Sequence, residues 1–203
     1  MKTTDSQLNY LSKRGKSYNQ KYGILSEIIQ YLPKDKKVIE LFGGVGITSY
    51  FIQKYLSPTQ LVINELDDRC IEILKKFNNV TVKKEDSFYS DIKEYDIVFV
   101  DSNFTKKMFK KFDGIFRGIK DTLILTETGI FNLVFNKKLS QEEYFKDYEK
   151  LFSKYGLYLH KVYYTHSFSI MEIQKTFSLG PIIYKHTNED TEWKEYIKCI
   201  NTH

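Results

Sequence analysis

The stretch VIELFGGVGITSYFI (38–52) carries an apolar, strand-like segment into Gly43, Gly44 and Gly46, and a helical pattern begins at once. Glycines at such a junction serve two needs. The backbone takes angles that other residues resist, and a ligand approaches the main chain closely. The helix that follows presents unpaired N–H groups and a partial positive charge to an anionic group of that ligand. A tight turn with no ligand uses the same residues, so the weight comes from the setting between strand and helix. Glu65 ends the next apolar segment, LVINE (61–65), roughly 20 residues further on, where an acid accepts hydrogen bonds from both hydroxyls of an adenosine ribose. A solvated loop carboxylate is the plainer reading of Glu65.

Two more acids follow at strand ends. In KKEDSF (83–88), Asp86 is placed to accept from an adenine amino group and the Ser87 backbone N–H to reach a ring nitrogen. Asp86 as an ordinary turn residue is the rival reading. In YDIVFVDSNFTKK (95–107), Asp101 stands at the carboxyl end of a strand, facing the crevice where open α/β sheets bind ligands. Its rival role is helix capping. Lys106, Lys107, Lys110 and Lys111 come next, and Lys13, Arg14 and Lys16 lie near the N-terminus. Together they suit a phosphate backbone, although a solvated lysine-rich face has the same composition. The histidines at 160, 166, 186 and 203 lack ligand spacing, so no metal site is expected.

The elements that must position these residues alternate. A helix is expected over 18–32, stopped by Pro33. Strands are expected at 38–42, 61–65, 80–84, 96–100 and 122–127, with helices over about 47–55, 67–77, 105–119 and 140–156. Ser140 with Glu143 reads as a capping box, and Gly156 as a helix stop. Alternation with short connections predicts a parallel, doubly wound sheet. The segments 157–165, 168–177 and 181–185 are joined by links too short for parallel crossovers, which predicts an antiparallel end. A last helix is expected from about Glu189.

The chain has 203 residues, 41 % apolar and 28 % charged, with no break in composition, which suits one globular domain. No apolar run is long enough for a membrane helix, and the N-terminus lacks a signal-peptide core. Cys70 and Cys199 are too few for a disulfide framework, so a reduced, cytoplasmic setting is expected. The net charge of +5 permits an acidic partner without demanding one. The 16 Tyr and 15 Phe offer stacking surfaces, or reflect compositional bias alone.

The glycine turn and the acids at 65, 86 and 101 together resemble the class I S-adenosylmethionine-dependent methyltransferase family, over about residues 18–130. The resemblance implies an α/β, Rossmann-like, doubly wound sheet of about seven strands, mainly parallel, with an antiparallel C-terminal end. It implies a single domain over 1–203, with a helical segment at 1–35, a core at 36–186 and a C-terminal helix at 187–203. S-adenosylmethionine is the implied cofactor. Its implied site comprises Glu40 before the glycines, Phe42, Gly43, Gly44, Gly46, Glu65, Leu66, Asp86, Ser87 and Asp101. This cofactor has no phosphate, so the anion near the helix start would be its methionine carboxylate. An NAD-dehydrogenase pattern fits less well, because the third glycine of GxGxxG falls at Ser49.

A narrower resemblance concerns the substrate. Amino-methyltransferases acting on bases carry D-P-P-Y/F after the fourth strand, where this chain has Asp101-Ser102-Asn103-Phe104. The segment KYGILSEIIQYLPKDKKVIELFGG (21–44) is also similar to phage-type adenine-N6 methyltransferases. Their mechanism implies that Asp101 and the Ser102 carbonyl accept from the target amino group while Phe104 stacks on the flipped base. Asn103 completes the candidate catalytic string. Nucleic acid is then the implied partner, through Lys106, Lys107, Lys110 and Lys111. Both prolines of the pattern are missing, which leaves a small-molecule or protein substrate, or a non-catalytic subunit, as alternatives. A partner subunit or a homodimer fits the lack of an evident target-recognition segment.

Overall fold

The computed structural model describes residues 15–127, 140–165 and 168–185. Helix α1 (Gly15–Tyr31) buries Ile24, Leu25, Ile28 and Ile29, the apolar face its spacing sets out, and ends just before Pro33. Strand β1 (Lys37–Leu41) leads through the glycine turn into α2 (Ile47–Phe51), which continues as a π-helical turn over Ile52–Leu56. Then come β2 (Gln60–Glu65), α3 (Asp68–Leu74) and β3 (Thr81–Lys84). A 3-10 turn at Ser87–Tyr89 precedes β4 (Ile97–Phe104). A second 3-10 stretch, Lys106–Phe112, runs into α4 (Asp113–Gly118), so the lysine-rich segment is not the single α-helix its sequence suggests. The remainder is β5 (Thr122–Glu127), α5 (Gln141–Ser153), β6 (Tyr158–Tyr164), β7 (Ser169–Gln174) and β8 (Ile182–Lys185). Both reciprocal bonds of the Ser140–Glu143 capping box are present.

All eight strands join one sheet in the order β3-β2-β1-β4-β5-β7-β6-β8. Strand β1 pairs in parallel with β2 on one side and β4 on the other, so the chain changes direction across the sheet there and leaves a crevice at the carboxyl ends. Strand β7 is antiparallel to both β5 and β6, as the short links require. Strand β8 also runs opposite to β7, as their short link requires, but lies beyond β6 rather than beside β7. It pairs with β6 in parallel, because the chain leaving β7 passes over β6 to the outer edge.

Two apolar layers cover the sheet. One holds α1, α2 and α3 against Val38, Ile63, Phe99, Ile124 and Ile170. The other holds α4 and α5 against Leu41, Val62, Val100, Leu125 and Met171. Among the described residues no helix is long and apolar enough to cross a membrane. The helix expected from Glu189, and Lys13 and Arg14, lie outside the described residues.

The fourth strand differs most from its expectation. It does not end at Val100 but runs through Phe104, with a break in its pairing to β5 and a resumed pair at Phe104↔Glu127. The absence of proline at 102 and 103 permits this path, and the packing of Phe104 selects it. Ser102 and Asn103 keep backbone N–H groups and free φ angles that proline would remove, so nothing bars an extended, sheet-like path. Phe104 then falls on the same face as Val98 and Val100, inside the second apolar layer.

Candidate functional site

The glycine turn is built by steric need. Gly44 and Gly46 hold φ of +53° and +84°, the left-handed region that side chains resist. A β-carbon on Gly46 would also stand 2.7 Å from Leu74 Cδ2, and one on Gly43 would run into the Ile63 side chain. Phe42 has a positive φ of 62° without being glycine. Its N–H donates to Ser87 Oγ at 3.0 Å, one of the contacts that hold it there.

Glu65 points at this turn. The Gly44 N–H donates to Glu65 Oε2 at 2.7 Å, while Oε1 accepts from the N–H groups of Leu66 at 2.7 Å and Asp67 at 2.9 Å. A carboxylate has about four acceptor positions, so about one remains open, on the oxygen nearest the glycines. A vicinal diol would take that position with one hydroxyl and displace a backbone N–H with the other. Leu66, beside it, is half exposed and offers an apolar face.

A second group of polar side chains gathers on the α1–α2 side of the sheet. Glu40 (β1) and Asp101 (β4) emerge on the same face. Asp101 forms an ion pair with Lys21 of α1 and accepts from Thr48 Oγ1 of α2 at 2.7 Å. Its side chain is 11 % exposed. Glu40 is buried and accepts from the Ser49 hydroxyl. Burial pushes the Glu40 carboxyl up to about 8; the Ser49 bond and Lys21 pull it down, and the negative charges of Asp101 and Glu65 add to the rise. Three acids and one ammonium therefore converge near the glycine turn. With the Glu40 carboxyl protonated at neutral pH and Asp101 matched by Lys21, the Glu65 carboxylate is the charge left to attract a cationic group and oppose a pyrophosphate.

Asp86 sits at a turn, as its rival reading has it, and caps that turn. It is the N-cap of the Ser87–Tyr89 turn, and its Oδ1 accepts the Phe88 N–H at 3.0 Å. Its carboxylate stays partly exposed on the crevice side of β3. Ser87 is buried, and the Phe42 and Phe88 rings meet edge to face at 5.0 Å. The loop after β3 thus touches the glycine turn directly.

The DSNF string is divided. Asp101 is held by Lys21 and Thr48 on the α1–α2 side of the sheet. The Ser102 hydroxyl is buried with no hydrogen-bond partner among the described residues, and Asn103 lies within β4. Phe104 corrects the sequence reading. It is fully buried, edge on to Phe112 at 4.9 Å and near Phe109, Phe116 and Tyr148, so it offers no face to a base. Lys107, Lys110 and Lys111 are exposed, whereas Lys106 pairs with Asp147 of α5.

Lys21, Thr48 and Asn64 belong to this region and were not singled out from the sequence. Lys21 is one of 31 basic residues, with no local signature. Thr48 comes two residues after Gly46, and a hydroxyl at that spacing is the one available hint.

No protein-family model matches the chain, and no curated protein matches it in sequence. Solved structures match it by fold. A Pyrococcus horikoshii protein assigned provisionally as an RNA methyltransferase aligns with TM-score 0.60 and 16 % identity, over 78 % of this chain and 83 % of that one. Magnesium protoporphyrin IX methyltransferase from Synechocystis, solved with bound S-adenosylmethionine, aligns with TM-score 0.55 and 15 % identity, over 78 % and 80 %. Ribosomal protein L11 methylase from Lactobacillus delbrueckii subsp. bulgaricus aligns with TM-score 0.56 and 11 % identity, over 75 % and 77 %. The shared property is the Rossmann-like methyltransferase fold.

Proposed function

We propose that this chain is an S-adenosylmethionine-dependent methyltransferase that grips the adenosyl group between the glycine turn and Glu65. The observation that carries the reading is the Glu65 carboxylate aimed at Gly44, at 2.7 Å, on the end of the strand beside the crevice. The acidic lining supports the same cofactor. The sulfonium and ammonium charges of that cofactor are attracted by the Glu65 carboxylate, whereas a dinucleotide pyrophosphate is repelled. Ser49 supports it as well. It stands where a dinucleotide fold wants a third glycine, and its hydroxyl is committed to Glu40. The fold of proteins solved with S-adenosylmethionine is consistent with this assignment.

When bound, the cofactor supplies a methyl group already activated on a sulfonium. The chain's residues then mainly hold donor and acceptor in line. Glu65 would take ribose hydroxyls, Leu66 would offer its apolar face to the adenine, and Asp86 with the Ser87 backbone would meet its edge. Lys21 and Thr48 fix Asp101 at the reacting end. The Glu65→Ala variant is expected to bind S-adenosylmethionine at least about tenfold more weakly in calorimetry, the scale of a lost hydrogen bond to a charged group. Equal affinity would end the assignment.

For the acceptor we favour an exocyclic amino group on a nucleic-acid base, adenine N6 first. Asp101 supports this as an acceptor for an amino proton, and the exposed Lys107, Lys110 and Lys111 support it as phosphate contacts. The burial of Phe104 favours a second reading, a small-molecule or protein substrate or a non-catalytic subunit. Related folds serve an RNA, a porphyrin and a ribosomal protein, so fold does not choose among them. Incubation with labelled cofactor and single- or double-stranded DNA or RNA, followed by nucleoside analysis, separates the readings. Methylated adenine supports the first; label on none of the nucleic acids rejects it.

A further inference from the structure

Asn64 is the residue before Glu65 on β2, and it is fully buried. A parallel strand covered on both faces ordinarily carries apolar side chains there. Asn64 instead ties together three pieces of chain. Its backbone carbonyl accepts the Gly43 N–H at 3.0 Å. Its side-chain Nδ2 donates to Glu85 Oε1 at 2.6 Å and to Ser90 Oγ at 2.6 Å. Ser90 Oγ in turn donates to the Asp86 carbonyl at 3.4 Å, which also accepts the Tyr89 N–H at 2.9 Å. The Glu85 carboxylate only accepts, so the amide must turn its nitrogen towards it. The Asn64 Oδ1 is then left buried without a partner among the described residues. A residue serving only to fill the core would be apolar here and strand nothing. This one leaves an acceptor unmet and uses both its donors on the 85–90 loop.

We infer that Asn64 is a positioning residue for adenosine recognition: it fixes the loop carrying Asp86 and Ser87 at a set distance from the strand end carrying Glu65 and from the glycine turn. The inference rests on the crevice being the adenosyl site. Asn64 touches no part of the ligand itself. Its effect passes through Glu85 and Ser90 to the wall that meets the adenine.

The test uses the full chain and two probes, S-adenosylmethionine and 5′-methylthioadenosine, which lacks the amino-acid end. Asn64→Asp keeps the shape but removes both donors and faces Glu85 with a like charge. It is expected to weaken both probes by the same factor, about tenfold or more, because the damage lies on the adenosine side. Glu85→Gln added to it restores one donor and one acceptor in reversed order, and should bring both affinities back towards the wild type. Losses that add in the double variant, with no rescue, overturn the inference, since a general loss of stability has no reason to recover. Ser90→Ala is the milder second variant, should Asn64→Asp not fold. It is expected to weaken both probes measurably, and unchanged binding counts against the inference. Wild type that binds neither probe removes the adenosyl reading itself. Wild type that binds both, with Asn64→Asp unaffected, removes only the role of Asn64.

Discussion

Glu40 and Asp101 stand on neighbouring strands and face the same helices, yet their surroundings treat them differently. Asp101 has a cation and a hydroxyl; Glu40 has a hydroxyl and no adjacent cation of its own. Burial therefore dominates at Glu40, and its carboxyl rises from 4.5 to about 8. Below 4.5 both folded and unfolded chains carry the proton. Between 4.5 and 8 the folded chain keeps a proton that the unfolded chain releases, so the stability linked to Glu40 falls as pH rises through that window. Glu40→Gln keeps an acceptor for Ser49 and cannot ionise. Urea titrations should show wild type losing on the order of 1–3 kcal/mol more than this variant between about pH 5 and 8. Parallel losses would mean that the proton is not on Glu40. The sequence offered Glu40 through family resemblance alone, and it gave no sign of Lys21. A lysine's meaning here is a contact with an aspartate on another element, which no local pattern encodes.

Elements were legible where a local rule governs them. The capping box at Ser140, the glycine turn, and the apolar runs of β1, β2 and β5 all follow from chemistry within a few residues. The end of β4 was not legible, because its path depends on packing against α4 and α5. If Phe104 is a core residue, Phe104→Ala should cost roughly 3–5 kcal/mol in chemical denaturation, the usual price of removing a buried ring. A stability change near zero would return Phe104 to the surface role that its motif suggests. The same packing accounts for the 3-10 path of Lys106–Phe112. Phe109 and Phe112 must both face inwards, three residues apart, and a 3-10 repeat stacks such positions.

At the scale of the whole molecule, the strand order sets the crevice, and the surface beside it decides what approaches. Lys107, Lys110 and Lys111 form an exposed cationic stretch just beyond β4, and Lys106 is held back by Asp147. If this face contacts a phosphate backbone, replacing the three lysines by glutamine should weaken nucleic-acid binding evenly across sequences. The dependence of log affinity on log salt should also become shallower, by about 2–3 in slope. An unchanged slope would assign these lysines to solvent. The substitutions lie outside the crevice, so cofactor affinity serves as the control.

By itself the sequence determined the α/β alternation, the glycine turn, and the acid that ends β2, since each depends on residue type and period within a short window. Tertiary structure alone decided that β8 pairs with β6 in parallel, that Phe104 belongs to the core, that Lys21 meets Asp101 and that Asn64 meets Ser90. Those outcomes turn on which distant segments are buried together. In that low-dielectric setting an ammonium seeks a carboxylate and an amide seeks acceptors, wherever along the chain they happen to lie.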